Sequence, residues 1–177
     1  MGVSDSPYGI MLKRSTIAGL LAIIWMCIIF SFSAQVKEES SEVSIAFSYR
    51  VVSSAGSFLK LHLDDEEIRR ITTAIEGYVR KVAHMTEYAI LSVLLYLWLE
   101  RWQFTELRKN IFAVLMSMLY AASDEIHQLF VQGRTGSVCD VIIDSVGAVL
   151  GVLIFMGVKK CISFLYSRRR YRETELS

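Results

Sequence analysis

The sequence predicts an all-α membrane protein, with four transmembrane helices and an amphipathic-helical external loop between the first and second. Three observations carry this. The 177 residues are 53% apolar and include a single proline, Pro7. Four stretches approach the roughly 20 mostly apolar residues that a bilayer-spanning helix needs. Between the first two, apolar residues recur at helical spacing, so that segment does not read as a loose linker.

The first span covers residues 16–34 and carries no charge. It is long for the apolar region of a signal peptide and has no clear small-residue cleavage site, so it is expected to be a retained helix. The second covers 82–99, with His84 and Glu87 in its first turns. The third covers 111–130, with Asp124, Glu125, His127 and Gln128 near its end. The fourth covers 138–158, with Asp140 and Asp144 near its start. Residues 1–15 and 159–177 form tails around a membrane domain of 16–158. The external loop is 35–81. Within it Asp64, Asp65, Glu66 and Glu67 open a helix whose apolar positions are Ile68, Ile71, Ile75, Tyr78, Val79 and Val82. Acids in a first turn and bases in a last one (Arg80, Lys81) suit the helix dipole, and this helix is expected to run on into the second span. Residues 43–59 are expected to form a second helix on the outer leaflet.

Charge sets the expected orientation. Lys13, Arg14, Arg101, Arg108, Lys109, Lys159, Lys160, Arg168, Arg169, Arg170 and Arg172 make eleven of the nineteen basic residues, and all lie on one side in short segments. The positive-inside rule places that side, with both termini, in the cytoplasm. The Arg-rich tail is read as a topology anchor touching anionic lipid, and a nucleic-acid role is not expected. Cys27, Cys139 and Cys161 offer no disulfide pair and no metal-type spacing. His62 reads as a surface histidine. Tyr96, Trp98 and Trp102 read as an interfacial aromatic belt, and Met116 and Met118 as packing.

Alternating helix directions bring every intramembrane polar group to one depth. Ser31, Ser33 and Gln35 lie at the exit of the first span. His84, Glu87 and Tyr88 begin the second. Asp124, Glu125, His127 and Gln128 end the third, and Asp140 and Asp144 begin the fourth. A carboxylate at mid-membrane depth costs roughly 2.5–3.5 kcal/mol on insertion scales, so such groups are rare and functional by default. Helical spacing puts His84 with Glu87, Asp124 with His127 and Gln128, and Asp140 with Asp144 on shared faces, with Glu125 turned about 100° away. Below the two aspartates, Gly147 and Gly151 mark a close helix–helix approach. Gly133 and Gly136 bracket a tight turn holding Arg134, placed to pair with a carboxylate or receive an anion.

Five acids face only Lys81, Arg134 and two histidines, so a shared proton, a metal ion or a cationic ligand is needed for charge balance. A metal remains open, although no HExxH-type spacing is present. Polar glue between helices is the plainer alternative. The chemistry leaves two candidate activities. One is hydrolysis or transfer on a lipid-linked substrate, with His84 or Glu87 as general base and Arg134 on an anion. Asp124, Glu125 and Asp144 complete its candidate catalytic set. The other is proton- or cation-coupled binding or transport. The binding candidates are Ser31, Ser33, Gln35, Lys81, Tyr88, His127, Gln128 and Asp140. The expected partners are the bilayer and an amphiphilic or lipid-linked small molecule. No cofactor can be named.

The segments 81–88, 120–130, 133–134 and 140–147, with Ser31 to Gln35, resemble the VanZ-like family in order and spacing. The resemblance spans about residues 16–157. It implies a bacterial plasma-membrane protein connected with the cell envelope or with glycopeptide (teicoplanin) tolerance in Gram-positive bacteria. It implies no particular reaction.

Overall fold

The computed structural model describes residues 6–175, the side chains of 7, 37–39 and 169–175 excepted. Residues 1–5 and 176–177 of the two expected tails, and the side chains of Arg169, Arg170 and Arg172, lie outside the described residues. Among the described residues the fold is five α-helices and no strand: α1 (Pro7–Ser33), α2 (Lys37–Phe58), α3 (Asp65–Leu99), α4 (Glu106–Gln128) and α5 (Val138–Glu175). Among the described residues three segments are long and apolar enough to cross a membrane: Tyr8–Ser33, Asp65–Leu99 and Val138–Arg168. The expected third span, now α4, is not among them. Charged groups at both its ends, Glu106, Arg108 and Lys109 against Asp124 and Glu125, keep its apolar run short.

Local chemistry sets the helix starts. Ser6 caps α1 by accepting from Gly9 N at 3.1 Å, and Pro7 occupies the first turn, where its missing N–H costs nothing. The helix therefore includes residues 7–15, which the sequence reading assigned to a tail. Asp64 and Glu67 form a reciprocal capping box at the start of α3, with bonds of 2.8 and 3.1 Å. As expected, α3 then continues without a break into the apolar run. Its 35 residues reach about 52 Å, well beyond a bilayer's hydrocarbon core.

The amphipathic segment expected over 43–59 is helical from residue 37 and packs antiparallel on the first half of α3. It turns Ser48, Val52 and Gly56 inward, Ser44 bonds Glu76, and Val43, Phe47, Val51 and Phe58 stay exposed.

Every other helix packs on α3. Its buried Tyr88, Leu91, Leu95 and Tyr96 meet Ala22 and Ile29 of α1, Ala113 and Ala121 of α4, and Ala148 and Val152 of α5. Helices α3 and α5 run parallel and nearly touch. A Cβ at Gly147 would lie 2.7 Å from Met85 Cα, and one at Gly151 2.7 Å from Ala89 Cα. This is the close approach that the glycine spacing predicts.

Tyr96 is not part of an interfacial belt. It is fully buried, donates to Glu106 Oε2 at 2.6 Å and accepts from Lys159 at 2.8 Å. Lys109 bonds Glu106 beside it. A polar cluster thus closes the bundle at the end opposite the carboxylates. Trp98 and Trp102 remain near the surface in an edge contact of 4.8 Å. His62 is exposed, and Met116 and Met118 are partly exposed.

Candidate functional site

At the other end of the bundle lies a half-open cavity of about 220 Å³. Helix α3 lines it with Arg80, Lys81 and His84. Helix α4 contributes Glu125 and Gln128. The following turn adds Gly133, Arg134 and Thr135, α5 adds Asp140, Ile143 and Asp144, and Ser40 comes from α2. Seven of the residues singled out from sequence therefore share one cavity: Lys81, His84, Glu125, Gln128, Arg134, Asp140 and Asp144.

The turn after α4 is built around its glycines. Gly133 has φ 76°, a backbone that side-chain-bearing residues rarely adopt. At Gly136 a Cβ would press within 2.8 Å of Glu125 O. This tight return swings Arg134 back over the helix ends. Its Nε donates to Gln35 O at 3.0 Å, Nη2 to Phe32 O at 3.3 Å and Nη1 to Gln128 Oε1 at 3.3 Å. Of its two expected partners, a carboxylate or an arriving anion, no carboxylate is in contact among the described residues. Arg134 instead ties the end of α1 to the end of α4 through neutral oxygens. Burial lowers its pKa and the charge of Arg80 lowers it further, while the nearby charges of Asp124 and Glu125 only partly offset them. An arriving anion would relieve the remainder.

Glu125 does face a neighbouring helix, as its angular position predicts. Its Oε2 accepts from Ser137 N at 2.8 Å, immediately before α5, where a carboxylate suits the free N–H groups of a helix start. His84 Nδ1 lies 3.1 Å from Glu87 Oε2, so the carboxylate orients the ring at the cavity wall. Trp25 Nε1 donates to Glu87 O at 2.9 Å and ties α1 to the same turn. Lys81 stands 3.9 Å from Asp140 at the exposed rim, a pair too solvated to hold much together.

Asp124, Ser33 and Tyr88 lie outside the cavity lining. Ser33 Oγ donates to Asp124 Oδ2 at 2.6 Å, and Gln128 Nε2 to the same oxygen at 3.2 Å. Tyr88 is fully buried, its ring 6.2 Å from that of Tyr120. Among the described residues several buried atoms here have no partner: Asp124 Oδ1, Asp144 Oδ1 and the Tyr88 hydroxyl. Buried polar atoms are nearly always satisfied, so three orphans in one region mark a place where something polar belongs.

Three sequence candidates fall elsewhere. Ser31 is exposed and bonds Cys27 O within its own helix. Gln35 contributes its backbone carbonyl. His127 stacks on Phe30 at 4.3 Å, because the final turn of α4 points that position at α1. Conversely, Arg80, Ser40, Thr135 and Ile143 line the cavity without being candidates for it from sequence, Arg80 reading there only as a helix-end base. Arg80 was legible in principle, being one helical turn before His84. Ser40 was not, since only the packing of α2 brings it there. No group of three or more His, Cys, Asp or Glu side chains is arranged to hold a metal ion among the described residues.

Fold and site together define a helical membrane protein with a charged cavity at one end of its bundle. Residues 18–162 match the family model described as VanZ/LLP1, and the chain belongs to that family. No curated protein and no solved structure matches it.

Proposed function

We propose that this protein spans the membrane four times, α4 included, with both termini in the cytoplasm and the cavity in the outer leaflet of a bacterial plasma membrane. There it binds the polar headgroup of an amphiphilic or lipid-linked molecule and acts in the cell envelope or in glycopeptide (teicoplanin) tolerance. The carrying observation is the cavity itself: basic side chains at its mouth, and Glu125 and Asp144 buried at its base. Polar glue between helices needs one or two such groups and leaves few orphan oxygens.

A second reading, hydrolysis or group transfer, is favoured by one geometry. A histidine held by a carboxylate at a cavity wall is the arrangement of an oriented general base.

The test compares teicoplanin susceptibility of cells expressing wild type, Arg134→Gln, Asp144→Asn and, as a surface control, Gly157→Ala. Equal membrane levels with lost tolerance in the first two support the reading. Unchanged tolerance in both would show that the cavity is not the working site.

A further inference from the structure

The ion pairs at the cavity sort its charges. Arg80 has Glu76 at 3.4 Å, and Lys81 has Asp140 at 3.9 Å. Arg134 has no carboxylate in contact, and neither Glu125 nor Asp144 has a cation in contact, among the described residues. His84, the remaining titratable base of the lining, lies 3.1 Å from Glu87. The cavity therefore holds one cation and two acids that make no direct ion pair among the described residues, and the cation is the most exposed of the three. Arg134 projects from the turn at the mouth. Glu125 and Asp144 are 7% and 4% exposed, and Asp144 Oδ1 is buried without a partner.

We propose that the cavity takes a zwitterionic phospholipid headgroup carrying a primary amine, of the phosphoethanolamine type, phosphate outward on Arg134 and ammonium inward on Asp144 and Glu125. This rests on the reading of the cavity as a headgroup site and names its ligand class. Charge pattern excludes a simple anion, which would set a second negative charge against the buried acids. It equally excludes a simple cation, which would leave Arg134 uncompensated. Ligand shape then selects among zwitterions. A primary ammonium has three N–H donors and can satisfy an orphan carboxylate oxygen directly. A quaternary ammonium has none and is recognised by aromatic cages, and no Trp, Tyr or Phe lines this cavity among the described residues. Size agrees. A cavity of about 220 Å³ has room for a phosphate with a two-carbon amine.

Native mass spectrometry of the purified, detergent-solubilised full chain tests this. Dioleoyl phosphatidylethanolamine, phosphatidylcholine and phosphatidylglycerol are titrated separately into wild type, Arg134→Gln, Asp144→Asn and Gly157→Ala. The expected result is about tenfold tighter binding of the ethanolamine lipid than of the other two. Asp144→Asn should remove that preference by weakening the ethanolamine lipid, and phosphatidylglycerol should bind no more weakly than to wild type, since one buried acid fewer opposes it. Arg134→Gln should weaken all three, and Gly157→Ala none. Equal binding of choline and ethanolamine lipids by wild type overturns the primary-amine assignment. Preference for phosphatidylglycerol overturns the zwitterion, while leaving an anionic headgroup site standing. Failure of wild type to bind any of the three more tightly than Arg134→Gln overturns this inference and the headgroup reading together. The wild-type comparison needs no variant, so poor folding of Asp144→Asn does not remove the test.

Discussion

Ser33 Oγ on α1 donates to Asp124 Oδ2 on α4 at 2.6 Å, and neither side chain reaches solvent to any useful extent. The bond joins residues 91 positions apart and is the central link between the two helices at the polar end. A carboxylate buried this deeply needs its donors, because each one lost leaves a desolvated acceptor. Ser33→Ala leaves Oδ2 with only the Gln128 amide at 3.2 Å. Thermal unfolding in detergent should show a loss of about 1–2 kcal/mol, between the cost of an orphaned buried acceptor and the smaller values measured for bonds between membrane helices. Ser33→Ala combined with Asp124→Ala should cost less than the sum of the two single changes, since they remove one shared interaction. Strict additivity would mean the bond contributes nothing.

The glycine stripe on α5 gives an internally controlled prediction. At Gly151 an added methyl runs into the Ala89 backbone of α3, whereas at Gly157 it meets nothing within 4 Å. Backbone cannot swing aside as a flexible side chain can. Gly151→Ala should destabilise by about 1–3 kcal/mol through overpacking. Gly157→Ala should be neutral or slightly stabilising, because alanine favours a helix interior over glycine. Equal unfolding temperatures for the two variants would refute the close approach of α3 and α5.

Much of this is legible in the sequence. Apolar run length marks α1, α3 and α5, and the alternation of helix directions brings the polar groups to one end. The Asp64 to Glu67 acids gave the start of α3, and four-residue spacing gave the Gly147–Gly151 seam. Three features were not legible, each for a physical reason. Helical angle places His127 beside Asp124 and Gln128, yet which neighbour each position meets depends on where α1 packs, and His127 met Phe30. Tyr96 looked like an interfacial aromatic because its partners, Glu106 and Lys159, come from two other helices. The position of Arg134 in its turn suits either an acid or an anion, and which backbone groups it meets depends on packing: the turn delivers it to the carbonyl-rich end of α1.

The cluster around Tyr96 sets an acid-side pH dependence. Glu106 precedes the apolar stretch of α4. The bond from Lys109, and then that from Tyr96, hold its carboxyl down to about 2. A carboxyl depressed in the fold stabilises above its unfolded pKa of 4.5 and loses that contribution as pH falls towards 2. Unfolding temperature should therefore drop between pH 4.5 and 2 in wild type, and drop less in Glu106→Gln. The side chain is half exposed, so the difference should be modest and should shrink in high salt. Parallel pH curves for the two proteins would remove Glu106 from the account.

Orientation is tested by cysteine labelling in a background lacking Cys27, Cys139 and Cys161. Ser57 lies at the end of α2 and Arg108 in the first turn of α4, both exposed and at opposite ends of the bundle. With the proposed topology, an impermeant maleimide should label Ser57→Cys in intact cells and reach Arg108→Cys only after permeabilisation. The reverse pattern would move the cavity to the inner leaflet.

Arg134→Lys separates charge from shape. The guanidinium fork reaches Gln35 O, Phe32 O and Gln128 Oε1 at once, from three nitrogens held in a plane. A lysine keeps the positive charge but concentrates its donors on one nitrogen, so it can hold at most part of that set. The tie between the end of α1 and the end of α4 should therefore weaken while the electrostatics of the cavity mouth persist. The expected loss is about 1–2 kcal/mol, from roughly two neutral-acceptor bonds. For a chain of this size that is a fall of several degrees in unfolding temperature. Arg134→Gln should fall at least as far, since it shortens the side chain as well as removing the charge. If Arg134→Lys melts with wild type while Arg134→Gln does not, charge alone fixes the turn, and the three-way hydrogen bonding is incidental.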